Sequence, residues 1–380
     1  MVLRKLELRH FRNLGVQELS FPPEGVAVIG DNAQGKTNLL EAIYYLESFR
    51  SFRGAGDGEL TAFSEEVFYL KGSVDGDAPT TVSAGFDRRR RKKKVSVNGS
   101  DALRLSSALG RLGAVVFSPS DVELVSGGPR LRRRFLDILL SLNRNGYVEA
   151  LAGYRKALAQ RNAALKANAA AAAVRAWDEG LVGHGARVTR MRHQWATTWS
   201  APFVSYCASI SGCDRVAMTY RPDLGHGGNG ARAGEEAFGA DEDQVRERFR
   251  SRLAESRETD VRRGVTTTGP HRDELLLTIT SRGRSLPART YGSGGQRRTA
   301  ALALRLAEAA TIRQERGTEP ILLLDDAFAE LDEGRSRQVM ELLGSEGTGQ
   351  VVLTAPKESD ARLRGPSLER WRIRRGVIEA

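Results

Sequence analysis

The sequence predicts an α/β protein: a phosphate-loop core, a flanking antiparallel sheet and an inserted, mainly helical lobe. Three observations carry this. The apolar run "GVAVIG" (25–30) meets a glycine loop and then a helical pattern. A second apolar run, "PILLLDD" (320–326), ends in two acids far along the chain. Between them lie short alternating segments and a long helical stretch, more than a minimal nucleotide-binding core needs to join its parts.

The loop comes first. A short, β-branched apolar run suits a buried strand. "GDNAQGKT" fits the pattern G-x-x-x-x-G-K-[ST] and supplies Gly30, Asp31, Asn32, Ala33, Gln34, Gly35, Lys36 and Thr37, with Asn38 next. Leu39, Leu40, Ile43 and Leu46 then recur at helical spacing, so the motif has the strand, loop and helix it requires. Gly30 and Gly35 allow a tight turn that points amide N–H groups at phosphate oxygens, and the helix N-terminus adds its positive end. Lys36 brings a point charge for the β- and γ-phosphates of ATP and a catalytic role with it, and Thr37 a hydroxyl for Mg²⁺. Arg12 and Asn13, in "HFRNL", either lie near the nucleotide or form a simple strand-end turn.

The second run supplies the carboxylates. Ile321 to Leu324 read as a parallel strand covered on both faces. Asp325 at its end can hold Mg²⁺ directly or through water, and Asp326 can polarise an attacking water. Two adjacent carboxylates repel unless a cation or a shared proton relieves them. Just upstream, Ser293, Gly294, Gly295 and Gln296 precede an alanine- and leucine-rich helix. Small residues there expose amides and make a second anion cradle, although they also suit a turn that merely starts a helix. One lysine loop and two cradles suggest that the second cradle serves another copy, with two nucleotides sandwiched in a head-to-tail homodimer.

Because the loop and the acids must meet at one nucleotide, everything between is insertion. Residues 1–125 and 262–380 are expected to form the head, with an antiparallel part over about 60–117 where "EVFYLKGSV" and "TTVSAGF" alternate. Residues 126–261 are expected to form the helical lobe, including the alanine run 169–173, with a mobile loop at 225–243 rich in glycine and acids. No sustained heptads call for a coiled coil.

Composition narrows the partners. The net charge of +11 favours an anionic one. Arg88, Arg89, Arg90, Arg91, Lys92, Lys93 and Lys94 run consecutively between two strands. They either contact DNA phosphates without sequence choice or are a solvated charge run. Arg132 to Arg134 open a helix against its dipole, for a functional reason or for ion pairs inside the protein. Few aromatics interleave either cluster, which disfavours base stacking. Two cysteines, Cys207 and Cys213, match no zinc or redox spacing and are expected reduced. No apolar stretch of membrane-spanning length and no signal core is visible, so a cytoplasmic protein without a membrane partner is expected.

Taken together these stretches resemble the ABC-type ATPase heads of the SMC-like, chromosome-associated family. With "LRKLELRHFRNL", "SPSDVELVSGGPRLRRRFLD", "YRKALAQRNAALK" and "TTTGPHRDEL" they are similar to its RecF branch, over most of the chain. The resemblance implies ATP-dependent dimerisation on DNA, slow DNA-stimulated ATP hydrolysis that resets the dimer, and work in replication, gap repair and SOS induction. It also implies a RecR-type mediator and a recombinase as partners. Ala33 stands where relatives often have glycine, tolerable unless the position needs positive φ. "VVLTAPK" lacks the switch histidine of many transporter ATPases, leaving Thr354 as a polar contact. Two rivals remain at this point: an ABC-type motor subunit of a membrane or other complex, and a binding module that never hydrolyses its nucleotide.

Overall fold

Two burial patterns share the first 121 residues. In β1 (Val2–Arg9) and β2 (Gln17–Ser20) buried and exposed positions mix, whereas β3 (Gly25–Ile29) is enclosed along almost its whole length. β4 (Val67–Asp75) and β5 (Thr80–Asp87) alternate again, followed by β6 (Lys92–Val97) and the short β7 (Ser100–Asp101), while β8 (Ala114–Phe117) is fully buried. The computed structural model describes all residues except 77, 212–215, 225–240, 327–332, 346–348, 365–366 and 380. It divides the chain into two compact units, Met1–Asp121 with Leu304–Ala380, and Val122–Ala303.

The second unit holds β9 (Val216–Arg221), β10 (Glu274–Ser281) and β11 (Arg284–Pro287). The C-terminal part of the first unit adds β12 (Ile321–Asp325), β13 (Val351–Ala355), β14 (Glu369–Arg374) and β15 (Val377–Glu379).

In the first unit the strands that alternate make one sheet, antiparallel throughout, in the order β2-β1-β4-β5-β6-β7. The enclosed strands make the other, in the order β15-β14-β3-β13-β12-β8, parallel except for the terminal β14–β15 pair. Unbroken apolar runs are what a parallel sheet needs when both faces are covered. The helix Lys36–Ser48 packs against strands of both sheets, and Leu39, Leu40, Ile43, Tyr45 and Leu46 are all fully buried in the shared core. Burial on nearly every side of one helix is the outcome of sandwiching it between two sheets.

The antiparallel region is therefore wider at one end and narrower at the other than the expected 60–117. It starts at the N-terminus, and β8 belongs to the parallel sheet because all four of its residues are apolar and pair with β12.

The second unit is helical, as expected, over Pro129–Asn143, Tyr147–Lys166, Asp178–Ser211 and Glu242–Glu255. It also contains the three-stranded sheet β11-β10-β9, which the sequence reading missed. Because β10 pairs with β9, the unit continues to Ala303, past the expected return at 262. Of the expected loop 225–243, residues 225–240 lie outside the described residues. Asp241 caps the next helix, its carboxylate accepting from the Asp243 N–H at 3.1 Å, so 242–243 are helical rather than loop. The alanine run is split, with a helix only from Ala171 to Arg175. Among the described residues no helix is long and apolar enough to cross a membrane.

Candidate nucleotide site

β3, β13 and β12 run parallel and end at one edge of the sheet. Register sets Asp325 opposite Thr354 and Ala355 opposite Ile29, so the glycine loop after β3 and the acids after β12 converge across β13. The carboxyl edge is where open parallel sheets bind ligands. The Thr37 hydroxyl donates to Asp325 Oδ1 at 2.8 Å. Two residues 288 positions apart in the sequence thus share one hydrogen bond.

The loop itself is tightly specified. Gly35 has φ 114°, and a Cβ there would lie 2.7 Å from Asn13 Oδ1. Ala33 has φ 64°, so the position does need the left-handed region and alanine occupies it under strain. Lys36 Nζ donates to the loop's own carbonyls, Gly30 O at 2.7 Å and Asp31 O at 3.1 Å. Asn13 braces the loop, donating to Gln34 O at 3.0 Å and accepting from Asn38 Nδ2 at 2.7 Å. Arg12 is held by partners within the chain. It forks onto Glu41 at 2.9 and 3.1 Å and reaches Glu59 O at 3.2 Å. Glu41 is fully buried, and Ser51 also donates to it. A carboxylate inside an apolar helix demands such a partner, and the glutamate in "NLLEAI" was the available signal for this pairing.

Asp325 is only 6% exposed. Burial, then the neighbouring Asp326 carboxylate, push its carboxyl above the ordinary range, against the hydrogen bonds from Thr37 and Thr354. Thr354 does more than the sequence suggested. Its hydroxyl lies 3.2 Å from Asp325 Oδ1 and accepts the Asp326 N–H at 3.0 Å, tying both acids to β13. Asp326 has φ 45°, a left-handed conformation at the residue that leaves the strand. Mg²⁺ takes hard oxygen ligands, with one or two from protein and the rest from phosphates and water. The Thr37 hydroxyl and Asp325 carboxylate, held 2.8 Å apart, fit that donor set.

Ser293 and Gln296, residues of the second unit, sit at the start of the helix Gly294–Arg316, of which the part to Ala303 lies in that unit. The Ser293 N–H donates to Gln296 Oε1 at 2.9 Å and the Gln296 N–H to Ser293 Oγ at 3.2 Å, a reciprocal capping box. Ser293 and Gly294 remain exposed.

The basic run divides. Arg88 to Arg91 form the turn between β5 and β6, and Arg91 has φ 51°. Lys93 points inward, donating to Phe49 O at 2.7 Å and pairing with Asp57 at 3.0 Å, and burial lowers its pKa. Lys94 pairs with Asp101 at 3.0 Å on the surface. An aromatic reaches the turn from elsewhere in the chain: Phe63 is fully exposed, and its carbonyl accepts from Arg88 at 3.4 Å. Arg132 and Arg133 are internal to the second unit. Arg132 pairs with Glu274 at 2.7 Å and donates to Gly127 O at 2.9 Å, and Arg133 donates to Asp273 O at 2.7 Å.

The family model for the RecF/RecN/SMC N-terminal domain matches residues 2–362. The DNA replication and repair protein RecF of Salinibacter ruber is 35% identical, covering 94% of this chain and 85% of that protein. RecF of Alkaliphilus oremlandii is 34% identical over the full length of both. The chain belongs to the RecF family. A solved structure described as the recombination mediator protein RecF with ATP, in the RecFOR pathway, superposes with a TM-score of 0.85 at 32% identity, covering all of this chain and 97% of that one. An Smc head bound to the C-terminal winged-helix domain of ScpA superposes with a TM-score of 0.54 at 15% identity, a likeness of fold. The RecF architecture is thus the SMC-type head fold, with mixed α/β content, that the sequence predicted.

Proposed function

We propose that this RecF-family chain is an ATP-gated DNA clamp of recombinational repair and replication. The observation that carries the reading is the Thr37–Asp325 hydrogen bond at 2.8 Å, which joins the phosphate loop to the carboxylate strand as one half-site. RecF relatives solved with ATP and described as recombination mediators support it.

In this reading the loop amides of 30–38 and Lys36 bind the triphosphate. Thr37 and Asp325 hold Mg²⁺, which neutralises phosphate charge when bound. Asp326, fixed through its own N–H to Thr354, orients the attacking water. Ser293, Gly294, Gly295 and Gln296 of a second copy cap the γ-phosphate, so that ATP closes a dimer and slow hydrolysis opens it. Arg88 to Lys92 and Lys94 meet DNA phosphates, and DNA speeds turnover. The clamp works with a RecR-type mediator to deliver recombinase at gaps, with SOS induction as the downstream response.

The test is ATP turnover with and without DNA, together with DNA affinity against salt. Neutral residues at Arg88–Lys92 and Lys94 should flatten the slope of log affinity against log salt by several of the roughly 0.9 per phosphate that each contact contributes. Turnover indifferent to DNA and an unaltered slope would remove DNA from this reading.

A further inference from the structure

Gln34, the loop residue before Gly35, is gripped by the far end of the chain. Its carbonyl accepts from the Gly376 N–H at 2.9 Å as well as from Asn13, and its Oε1 accepts from the Arg375 N–H at 2.7 Å. Arg375 and Gly376 are the two-residue turn between β14 and β15, with φ 48° and 82°. Two left-handed residues are what a tight hairpin of this length requires. No side chain fits at 376, where a Cβ would lie 1.9 Å from Asn13 O.

The hairpin is itself anchored. Gln17 Nε2 donates to Gly376 O at 2.7 Å and Gln17 Oε1 accepts from the Ile378 N–H at 2.8 Å. Parallel pairing sets Arg372 opposite Ile29, and a Cβ on Gly30 would lie 2.6 Å from Ile373 O. The hairpin therefore touches the loop at Gly30 and again at Gln34, near its two ends.

We propose that the β14–β15 turn is a clip that presets the phosphate loop for a nucleoside triphosphate, with Gln34 as the positioning residue. This rests on the nucleotide reading above. A loop that binds phosphate through backbone amides gains affinity from having those amides fixed beforehand, because the ordering cost is not met at binding. Linkage makes the effect reciprocal: a ligand that favours the clipped loop must also favour the ordered hairpin. The clip touches no reacting atom, so it acts on binding before chemistry.

The experiment uses the full chain with Mg·ADP and Mg·ATP. Amide hydrogen exchange at Arg375, Gly376 and Ile378 should slow when Mg·ADP saturates the wild type. Gln34→Met removes the Oε1 acceptor at similar volume and should weaken nucleotide binding about fivefold, the scale of one lost hydrogen bond. The loss should fall on KM for ATP more than on kcat. Gly376→Ala, which pushes the turn off Asn13, should weaken binding further and abolish the ligand-dependent protection of the hairpin. If the wild type binds nucleotide while hairpin exchange is unchanged and Gln34→Met binds equally well, the clip is wrong and the nucleotide reading stands. A wild type that binds no nucleotide overturns both.

Discussion

Two polar clusters, one in each unit, contain the same kinds of side chain and are built for opposite ends. In the second unit Asp273 is fully buried and accepts from Tyr220, from the Asp223 N–H at 2.8 Å, and from Arg192 and Thr189 at 3.4 Å. Arg192 also reaches Asp137 at 2.7 Å, Pro270 O at 2.7 Å and the Tyr147 hydroxyl at 3.0 Å. Its charges are answered within the chain, by regular backbone and side chains alike. At the carboxyl edge of the first unit, Asp325 stands beside a second carboxylate, and both Ala33 and Asp326 hold left-handed φ. In the proposed function a bound nucleotide and cation would relieve both the strain and the like charge. The first network is answered by the chain's own donors, and the second is the one the proposed function fills with nucleotide and Mg²⁺.

Breaking the saturated network should give the largest effect. Asp273→Ala leaves Arg192 and Tyr220 with a lost buried partner and should cost about 3–5 kcal/mol in chemical denaturation. A loss below about 1 kcal/mol would mean that the cluster is not the core it looks like. At the other cluster, Lys36→Arg should lower ATP turnover about 100-fold, because a fork cannot copy a point charge at the phosphates. Its unfolding midpoint should stay that of the wild type, and a matching fall in stability would blur the contrast. The smallest effect sharpens it. Ala33→Gly should raise stability by about 0.5–1 kcal/mol by relieving the left-handed backbone. An unchanged or lowered stability would mean that the loop holds no strain at that position.

Sequence legibility followed locality. The strand "GVAVI", the loop and its helix were readable because every part lies within about twenty residues and obeys one known pattern. "ILLLD" was readable because an unbroken apolar run needs cover on both faces. What escaped was long-range. Thr354 lies on β13, and only its pairing to β12 puts the hydroxyl beside both acids. Arg12 was open between a nucleotide contact and a strand-end turn, and its pairing with the buried Glu41, 29 residues away, became visible only in the fold. The turn at Arg375–Gly376 is a short polar stretch with no signature, and it acquires meaning only against Gln34. "TTTGPHRDEL" was distinctive, yet its chemistry is inward: His271 bonds Tyr154 at 2.6 Å, Asp273 is fully buried, and the strand after it pairs with β9 across a run of helices.

In the proposed function ATP is shared between two copies and Asp326 ends the sharing. The direct measurement is light scattering of the Asp326→Asn chain with saturating Mg·ATP, set against the wild type and against Mg·ADP. The account predicts twice the monomer mass with Mg·ATP, held longer in Asp326→Asn than in the wild type, and a monomer with Mg·ADP. A monomer in all three conditions, with ATP demonstrably bound, would contradict it.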